Sequence, residues 1–568
     1  MCHLPNRARD ATQVAELLEN AGDDNCKRTA IGACCLYLPR GMTTTACKRF
    51  ALYDLVQALA MCPAYVLESE VYRAMSTLGE LRQLLRLRAL QRLTLVTLLA
   101  SLGWYGLRLK VCILDLDIWW HLKVGNWIVQ NRAVPHAGIL SRSAATMPWV
   151  AYSWGYEVLL SRAYSWFGLV GVGLLGIFLT LAVAYTVFWM LFRLSRHFWG
   201  ACVLATITCS AFLFNLLPRP VFLSMVLFMV ALTLILEAQR SKRIQTLYWL
   251  PPIFVLWANV HIQFIYGLFL LGLLLGVNLL GLTTESLKIK PAWLCFRRLP
   301  IQPLAAVFAA SILGTCIGPY SFRLYQVIYQ YSTAQLPYAL IQELQPINFR
   351  FADHYVQLLL TATGFFAVGW QKKIDPFKLA LLIIASVVAY RTMRDSWFIC
   401  VVAAACIADT VRATESEADR PASRLEMAGL GVVLMVILLL LARNEGFTER
   451  GLDDTVSGSF PVRAVNFVRQ SNLPGPLYNS FDWGGFLIWY LPDYPVVIDG
   501  RNDLYGDELD RRFVAVENGD ASYATEPYLD HSGIVLLRKG LLLADRLNND
   551  PRFRLIYEDQ LAVVFVRQ

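Results

Sequence analysis

Apolar residues along this chain gather in blocks, and polar residues mark the breaks between them. Blocks near 93–109, 168–192, 199–217, 220–238, 247–260, 263–282, 303–319, 355–371, 377–393, 396–411 and 425–443 approach the roughly 20 apolar residues that a membrane-crossing helix needs. The pattern predicts eleven spanning helices. The run 247–260 is short and holds Pro251-Pro252, so it predicts a tilted or broken span, a form tolerated where it lines a cavity.

The polar breaks alternate in character. Arg82, Arg86, Arg88 and Arg92 precede the first run, Arg193 and Arg196 follow the second, and Arg240, Lys242 and Arg243 follow the fourth. Lys288, Lys290, Arg297 and Arg298 follow the sixth, Lys372, Lys373 and Lys378 the eighth, and Arg412, Arg420 and Arg424 the tenth. Every second connection is basic, which places those connections in the cytoplasm. An odd number of spans then puts the N-terminus in the cytoplasm and the C-terminal portion outside. The intervening connections have a different chemistry. The first, about 110–167, is long and rich in Trp and Tyr, which suits helices lying at the membrane interface.

After residue 443 the pattern turns mixed. LYNSFDWGGFLIWYLPDYPVVIDGRNDLYGDE is its most distinctive stretch. PVVID and IVLLR read as buried strands. FRLIYEDQLAVVFVRQ reads as a terminal hairpin turning at Glu558–Gln560, and helices are expected at 461–471, 507–517 and 540–549. Residues 444–568 thus form a small α/β domain. Asp482, Gly484, Gly485, Asp499, Arg501 and Asp503 fall at its turns, where Gly and Asp serve turn geometry and an Asp–Arg pair can form; contact with an acceptor, or a lid over a cavity, is the functional alternative. At the other end, residues 1–74 lack the order of a signal peptide, and Met75 opens a stretch that reads as a membrane-protein start. We expect 1–74 to be a misassigned start or a poorly ordered leader.

Composition agrees with the pattern. The 568 residues are 56% hydrophobic and 16% charged, against about a quarter charged in soluble domains. Disorder, a coiled coil and an ordinary cytosolic enzyme are excluded. The net charge of +9 divides into −7 after residue 443 and an excess on the connections before it, so it is a topology signal. A nucleic-acid binder would cluster its charge on one face. The thirteen cysteines show no zinc or redox spacing; six lie in the first 62 residues, and the rest sit mostly in apolar runs.

Ionisable groups at membrane level are costly and functional. On the predicted topology Asp115, Asp117, Glu157, Glu343, Asp353 and Asp395 face outward. Asp115 and Asp117 follow the first span in LDLDIWWHLKVGNWIV, where helix capping is the structural alternative. Arg219 sits in the two-proline turn LLPRPVF, and Arg391 and Arg394 form a second basic pair. A guanidinium matches phosphate oxygens bidentately, although an Arg here can also snorkel to headgroups. His261 ends the broken span in WANVHIQF, and Glu157 in YSWGYEVLL is a second carboxylate candidate. One or two carboxylates with three arginines suit transfer from a phosphate-linked donor. The carboxylate takes the acceptor's proton and the cations stabilise the leaving phosphate. A divalent cation held by Asp115 and Asp117 is the alternative use of the pair.

These motifs resemble the GT-C superfamily of membrane glycosyltransferases, in its bacterial RgtA/B/C/D-like and protein-mannosyltransferase-like members. The resemblance is carried by D-L-D-I-W-W-H-L-x2-G-N-W-I, P-H-A-G-I-L-S, W-x4-W-G-Y-E, the Arg-Pro of LLPRPVFLS, and WANVH, and covers about residues 85–411. It implies an outer-loop catalytic acid, Asp117 with Asp115 as the other candidate, and a polyprenyl-phosphate sugar donor. It further implies an acceptor glycan, lipid or protein outside a bacterial inner membrane, with no nucleic-acid partner. Two other classes compete: a lipid or small-molecule transporter or flippase, and a non-catalytic envelope assembly protein. Transporters favour midplane ionisable groups and internal repeats, whereas these groups gather at one face and no fixed-period repeat is present.

Overall fold

A computed structural model describes residues 85–568 apart from 214–215, 290–291, 335, 337, 339–340, 414–418 and 420–421. The leader 1–74 and its six cysteines lie outside the described residues. The chain divides into two compact units at Leu90/Gln91. Of the first, 85–90 is described and is helical; the second holds the bundle, the sheet and the candidate site.

Each of the eleven apolar runs falls on a helix. Five helices are long and apolar enough to cross a membrane by length and composition: Leu85–Leu114, Trp154–Ser195, Val221–Ser241, Phe264–Ser286 and Arg424–Asn444. Phe198–Phe212 and Ile301–Thr315 are shorter apolar helices. Leu250–Val260 carries its two prolines in the first turn, where a missing N–H costs nothing. The run 247–260 thus starts in the 3₁₀ helix Ile244–Trp249 and continues as the short α-helix Leu250–Val260.

Sequence signals set the helix ends. Asp375 caps Phe377 N–H ahead of Pro376, and Ser423 with Glu426 forms a capping box, both satisfying otherwise orphaned donors. Trp154–Ser195 is interrupted at Gly168, whose φ of 61° glycine adopts without steric cost. Glu449 accepts from the Leu169 and Val170 N–H groups at 3.0 and 3.2 Å, so a carboxylate caps the helix that restarts there. The break separates residues 154–167, which belong to the long connection 110–167, from the apolar length beyond.

Ser396–Thr410 is the centre of the bundle, with Trp397 through Ala405 buried. It packs against Ala352–Gly369, Pro376–Arg391, Phe198–Phe212 and Trp154–Ser195. Its alanines permit close helix approach, the usual device where the surroundings are as apolar as the side chains.

The C-terminal region holds a four-stranded sheet: β1 (Leu477–Asn479), β2 (Ile534–Arg538), β3 (Phe553–Glu558) and β4 (Ala562–Arg567), in the order β1-β2-β4-β3. β1 and β2 are parallel; β2–β4 and the β3–β4 hairpin are antiparallel. IVLLR, the terminal hairpin and the three expected helices appear, at Val462–Gln470, Asn502–Glu517 and Leu542–Asn548. PVVID is not a strand. It is buried, but side chains and a neighbouring loop meet its backbone. Val497 N–H donates to Asn479 Oδ1 at 2.8 Å, Ile498 C=O accepts from Asn479 Nδ2 at 2.8 Å, and Val496 C=O accepts from Arg142 N–H at 2.7 Å. Burial made it strand-like in sequence, and Asn479 took its place on the sheet.

This segment ties the C-terminal region to the connection 110–167. Ser141 donates to Val497 C=O at 3.1 Å, Trp149 Nε1 to Asp503 at 3.0 Å, and Trp119 packs edge-on against Phe460, Phe486 and Tyr490. Loop and sheet region share one hydrophobic core.

Candidate active site

The chain enters the site at Asp115. Helix Ile118–Asn131 begins immediately afterwards, and its buried residues Ile118, Trp119, Trp120, His121 and Leu122 anchor the turn. Asp117 occupies the N-cap position but caps nothing with its side chain. Its N–H donates to Asp115 Oδ1 at 3.0 Å, and its own Oδ1 accepts from Trp120 Nε1 at 3.1 Å. The capping alternative thus fails for Asp117, whose other oxygen points away from Trp120.

That oxygen meets Arg219. Prolines 218 and 220 exclude helix around Arg219, and its side chain grips Asp115 in fork geometry, Nε to Oδ2 at 2.8 Å and Nη2 to Oδ1 at 2.7 Å. Nη1 lies 3.1 Å from both Asp117 Oδ2 and Glu343 Oε1. Glu343 in turn bonds Arg394. The loops carrying these two are joined, Met393 N–H donating to Gln345 C=O at 2.9 Å. Five ionisable side chains from four separate stretches thus form one ionic pit. With all five ionised its net charge is −1.

The two aspartates differ. Asp115 has 2% of its side chain exposed, Asp117 22%. Burial acts to raise the Asp115 carboxyl, but the charge and hydrogen bonds of Arg219 hold it below the ordinary carboxylate value. For Asp117 burial prevails, helped by the Asp115 charge and opposed by Arg219, and the carboxyl is raised. Asp115 is the fixed counter-ion of Arg219; Asp117 is the accessible, more basic carboxylate.

His261 lies in the same region. Ser224 accepts from Trp257 Nε1 at 2.8 Å and lies 2.8 Å from His261 Nδ1. Burial, with Arg394 and His121 adding, pushes the imidazole down to about 3, so it is neutral at physiological pH. Glu157 does not reach the pit. It is fully buried beneath the helix carrying Asp117 and lies 3.1 Å from His121 Nδ1, while the His121 ring stacks on Trp120 at 3.5 Å. Arg391 is likewise outside: it is exposed and lies over the Tyr338 ring at 5.2 Å. The helix ends at Arg391 and the chain turns, which carries Arg394 inward and leaves Arg391 out.

The carboxylates do not fit a divalent ion in this arrangement. Both Asp115 oxygens are occupied by Arg219, and among the described residues no group of three or more His, Cys, Asp or Glu could hold a metal.

In the sequence Glu343 is only one of several outward acids, with no role, and the C-terminal cluster reads as turns. Asp499 and Arg501 are indeed a fully buried bidentate pair, 2.8 and 2.7 Å apart. Gly500 between them backs directly on the pit, and a Cβ there would come within 2.2 Å of Asp117 Oδ1.

Fold and site together define a helical membrane protein with an ionic pit at one end of its bundle. No protein-family model and no curated protein matches the sequence. Among solved structures the chain is similar to the archaeal oligosaccharyltransferase AglB from Archaeoglobus fulgidus, in complex with an inhibitory peptide and a dolichol-phosphate. That similarity has 12% identity and a TM-score of 0.48 and covers 79% of this chain and 69% of that one. It is also similar to ArnT from Cupriavidus metallidurans bound to undecaprenyl phosphate, at 13% identity and a TM-score of 0.39, over 83% of this chain and 97% of that one. At TM-scores below 0.5 these likenesses assign no chemistry to this chain.

Proposed function

We propose that the chain is a GT-C-type glycosyltransferase of a bacterial inner membrane, moving a sugar from a polyprenyl-phosphate donor to an acceptor hydroxyl on the outer side. The C-terminal region lies on that side and walls the pit, and the eleven helices cross the bilayer. The observation that supports this most is the convergence of Arg219 and Arg394 on Glu343 Oε1 beside Asp117. Two guanidinium groups aimed at one carboxylate oxygen form a place for a phosphate oxygen, since carboxylate and phosphate present similar acceptor geometry to Arg. On this reading Glu343 holds the phosphate position until the donor displaces it.

The chemistry then runs in one step. The acceptor hydroxyl gives its proton to Asp117 Oδ2 as its oxygen attacks the anomeric carbon. The bond from that carbon to the phosphate oxygen breaks, and polyprenyl phosphate departs with the electron pair. Arg219 and Arg394 stabilise the charge that develops on it. One direct displacement inverts the anomeric centre. Asp115 keeps Arg219 aimed throughout, and His261 is a hydrogen-bonding contact for substrate.

The test is a transfer assay with purified protein in lipid nanodiscs and polyprenyl-phosphate sugars. Turnover in the wild-type protein that is lost in Asp117→Asn, with donor binding retained, supports the proposal. Equal turnover in the two removes Asp117 from the mechanism.

A further inference from the structure

A second ionic cluster lies at the other end of the bundle. Lys378 and Arg391 sit near opposite ends of the 16-residue helix Pro376–Arg391, which at 1.5 Å per residue is about 24 Å long. Asp395 and Asp409 are separated in the same way by Ser396–Thr410. At this far end Asp409 is buried among Arg240, Arg297 and Lys378, and Arg297 Nε also lies 3.7 Å from Asp375 Oδ2.

The cluster adjoins a cavity of about 450 Å³ lined by Arg297, Lys372, Lys373, Asp375, Lys378 and Thr410, among others. A paired backbone bridge builds it: Ile374 N–H donates to Trp293 C=O at 2.8 Å and Cys295 N–H to Ile374 C=O at 2.9 Å, joining two loops. The volume falls within the range of small-ligand sites.

The charges do not balance. Asp375 and Asp409 face Arg240, Arg297 and Lys378, and Lys372 and Lys373 are exposed with no ion-pair partner among the described residues. The excess is three positive charges around one cavity. Thr410 Oγ1 and Asp375 Oδ2 are buried there with no hydrogen-bond partner, and a hydroxyl can donate to an anion. Topology alone requires basic loops, but neither a preformed cavity nor an unpartnered hydroxyl within it.

We infer that this cavity binds a phosphate-bearing anion, supplied by an anionic lipid headgroup or by free phosphate. Basic pockets between helix ends on the cytoplasmic side are suited to such groups. The site is separate from the pit and independent of the function proposed above.

The test uses full-length protein in phosphatidylcholine nanodiscs with and without phosphatidylglycerol, with lipid retention read by native mass spectrometry. The double variant Lys372→Gln/Lys373→Gln changes only exposed side chains. A second double variant, Lys242→Gln/Arg243→Gln, removes two charges from a different basic connection. Phosphatidylglycerol retention should weaken about thirtyfold in the first variant and stay near wild type in the second. Displacement of the lipid by inorganic phosphate at constant ionic strength identifies a site open to free phosphate; no displacement identifies a headgroup site. Unchanged retention in the first variant overturns the inference, as does equal loss in both.

Discussion

Replacing Glu343 by Gln should tighten donor binding. Its Oε1 accepts from Arg219 Nη1 at 3.1 Å and from Arg394, and a phosphate entering this position must break both contacts. A hydrogen bond to a charged group contributes about 1.5–3 kcal/mol when buried. The Glu343 side chain is 37% exposed, so solvent screening reduces each contact to about 1 kcal/mol or less. Gln keeps a neutral acceptor and loses the ionic share, which leaves a gain of about 1 kcal/mol and a donor Kd about fivefold lower. Burial acts to raise the Glu343 carboxyl, but Arg394 and Arg219 outweigh it and hold it below its ordinary value. The competing ion pair is therefore present above the ordinary carboxylate range and lost only as pH falls through the lowered value, so the gain should be constant from about pH 6 to 8. Titration of a fluorescent polyprenyl-phosphate sugar into nanodisc-held protein measures it. A Kd that is unchanged or higher in Glu343→Gln would refute the idea that Glu343 holds the phosphate position.

Asp117→Asn should lower kcat by about 10²–10⁴-fold, and the acid limb of the wild-type pH–rate profile should lie above that of an ordinary carboxylate, because burial raises this group. Loss of activity toward high pH in place of low would assign the group another role. Gly500→Ala places a Cβ 2.2 Å from Asp117 Oδ1 and 3.5 Å from Trp120 Nε1; kcat should fall at least tenfold with the fold intact by size-exclusion chromatography, and wild-type kcat would show that the wall does not position Asp117. Arg219→Gln leaves Asp115 buried without its counter-charge, a loss of about 3–5 kcal/mol. The thermal inactivation midpoint should drop, and the deficit should shrink as acid protonates Asp115, since the wild-type pair is itself lost as pH falls through the lowered Asp115 value. A deficit that grows toward low pH would contradict this.

The parts visible in sequence are those written by local pattern. Hydrophobic runs gave the helices, the two-proline turn isolated Arg219, and alternating residues gave the terminal hairpin. Asp115, Asp117 and Arg219 were visible as types in suggestive places, but their contact spans about a hundred residues and no periodicity encodes it. Glu343 was indistinguishable from the other outward acids until folding set it between two guanidiniums. Arg391 and Arg394 looked equivalent, and a helix end separated them. PVVID failed as a strand because burial and extension read alike whether the partner is a strand or the Asn479 side chain. The wall at Gly500 was missed because close approach of backbone to a distant carboxylate leaves no mark beyond a glycine.

One position carries the proposed chemistry, the point between Arg219 Nη1 and the Arg394 guanidinium. A structure of the protein with polyprenyl phosphate bound examines it directly. Phosphate density is expected there, with Glu343 displaced and Asp117 facing the open side. Phosphate bound elsewhere, with the Arg219–Glu343–Arg394 bridge intact, would contradict the proposed role of the pit.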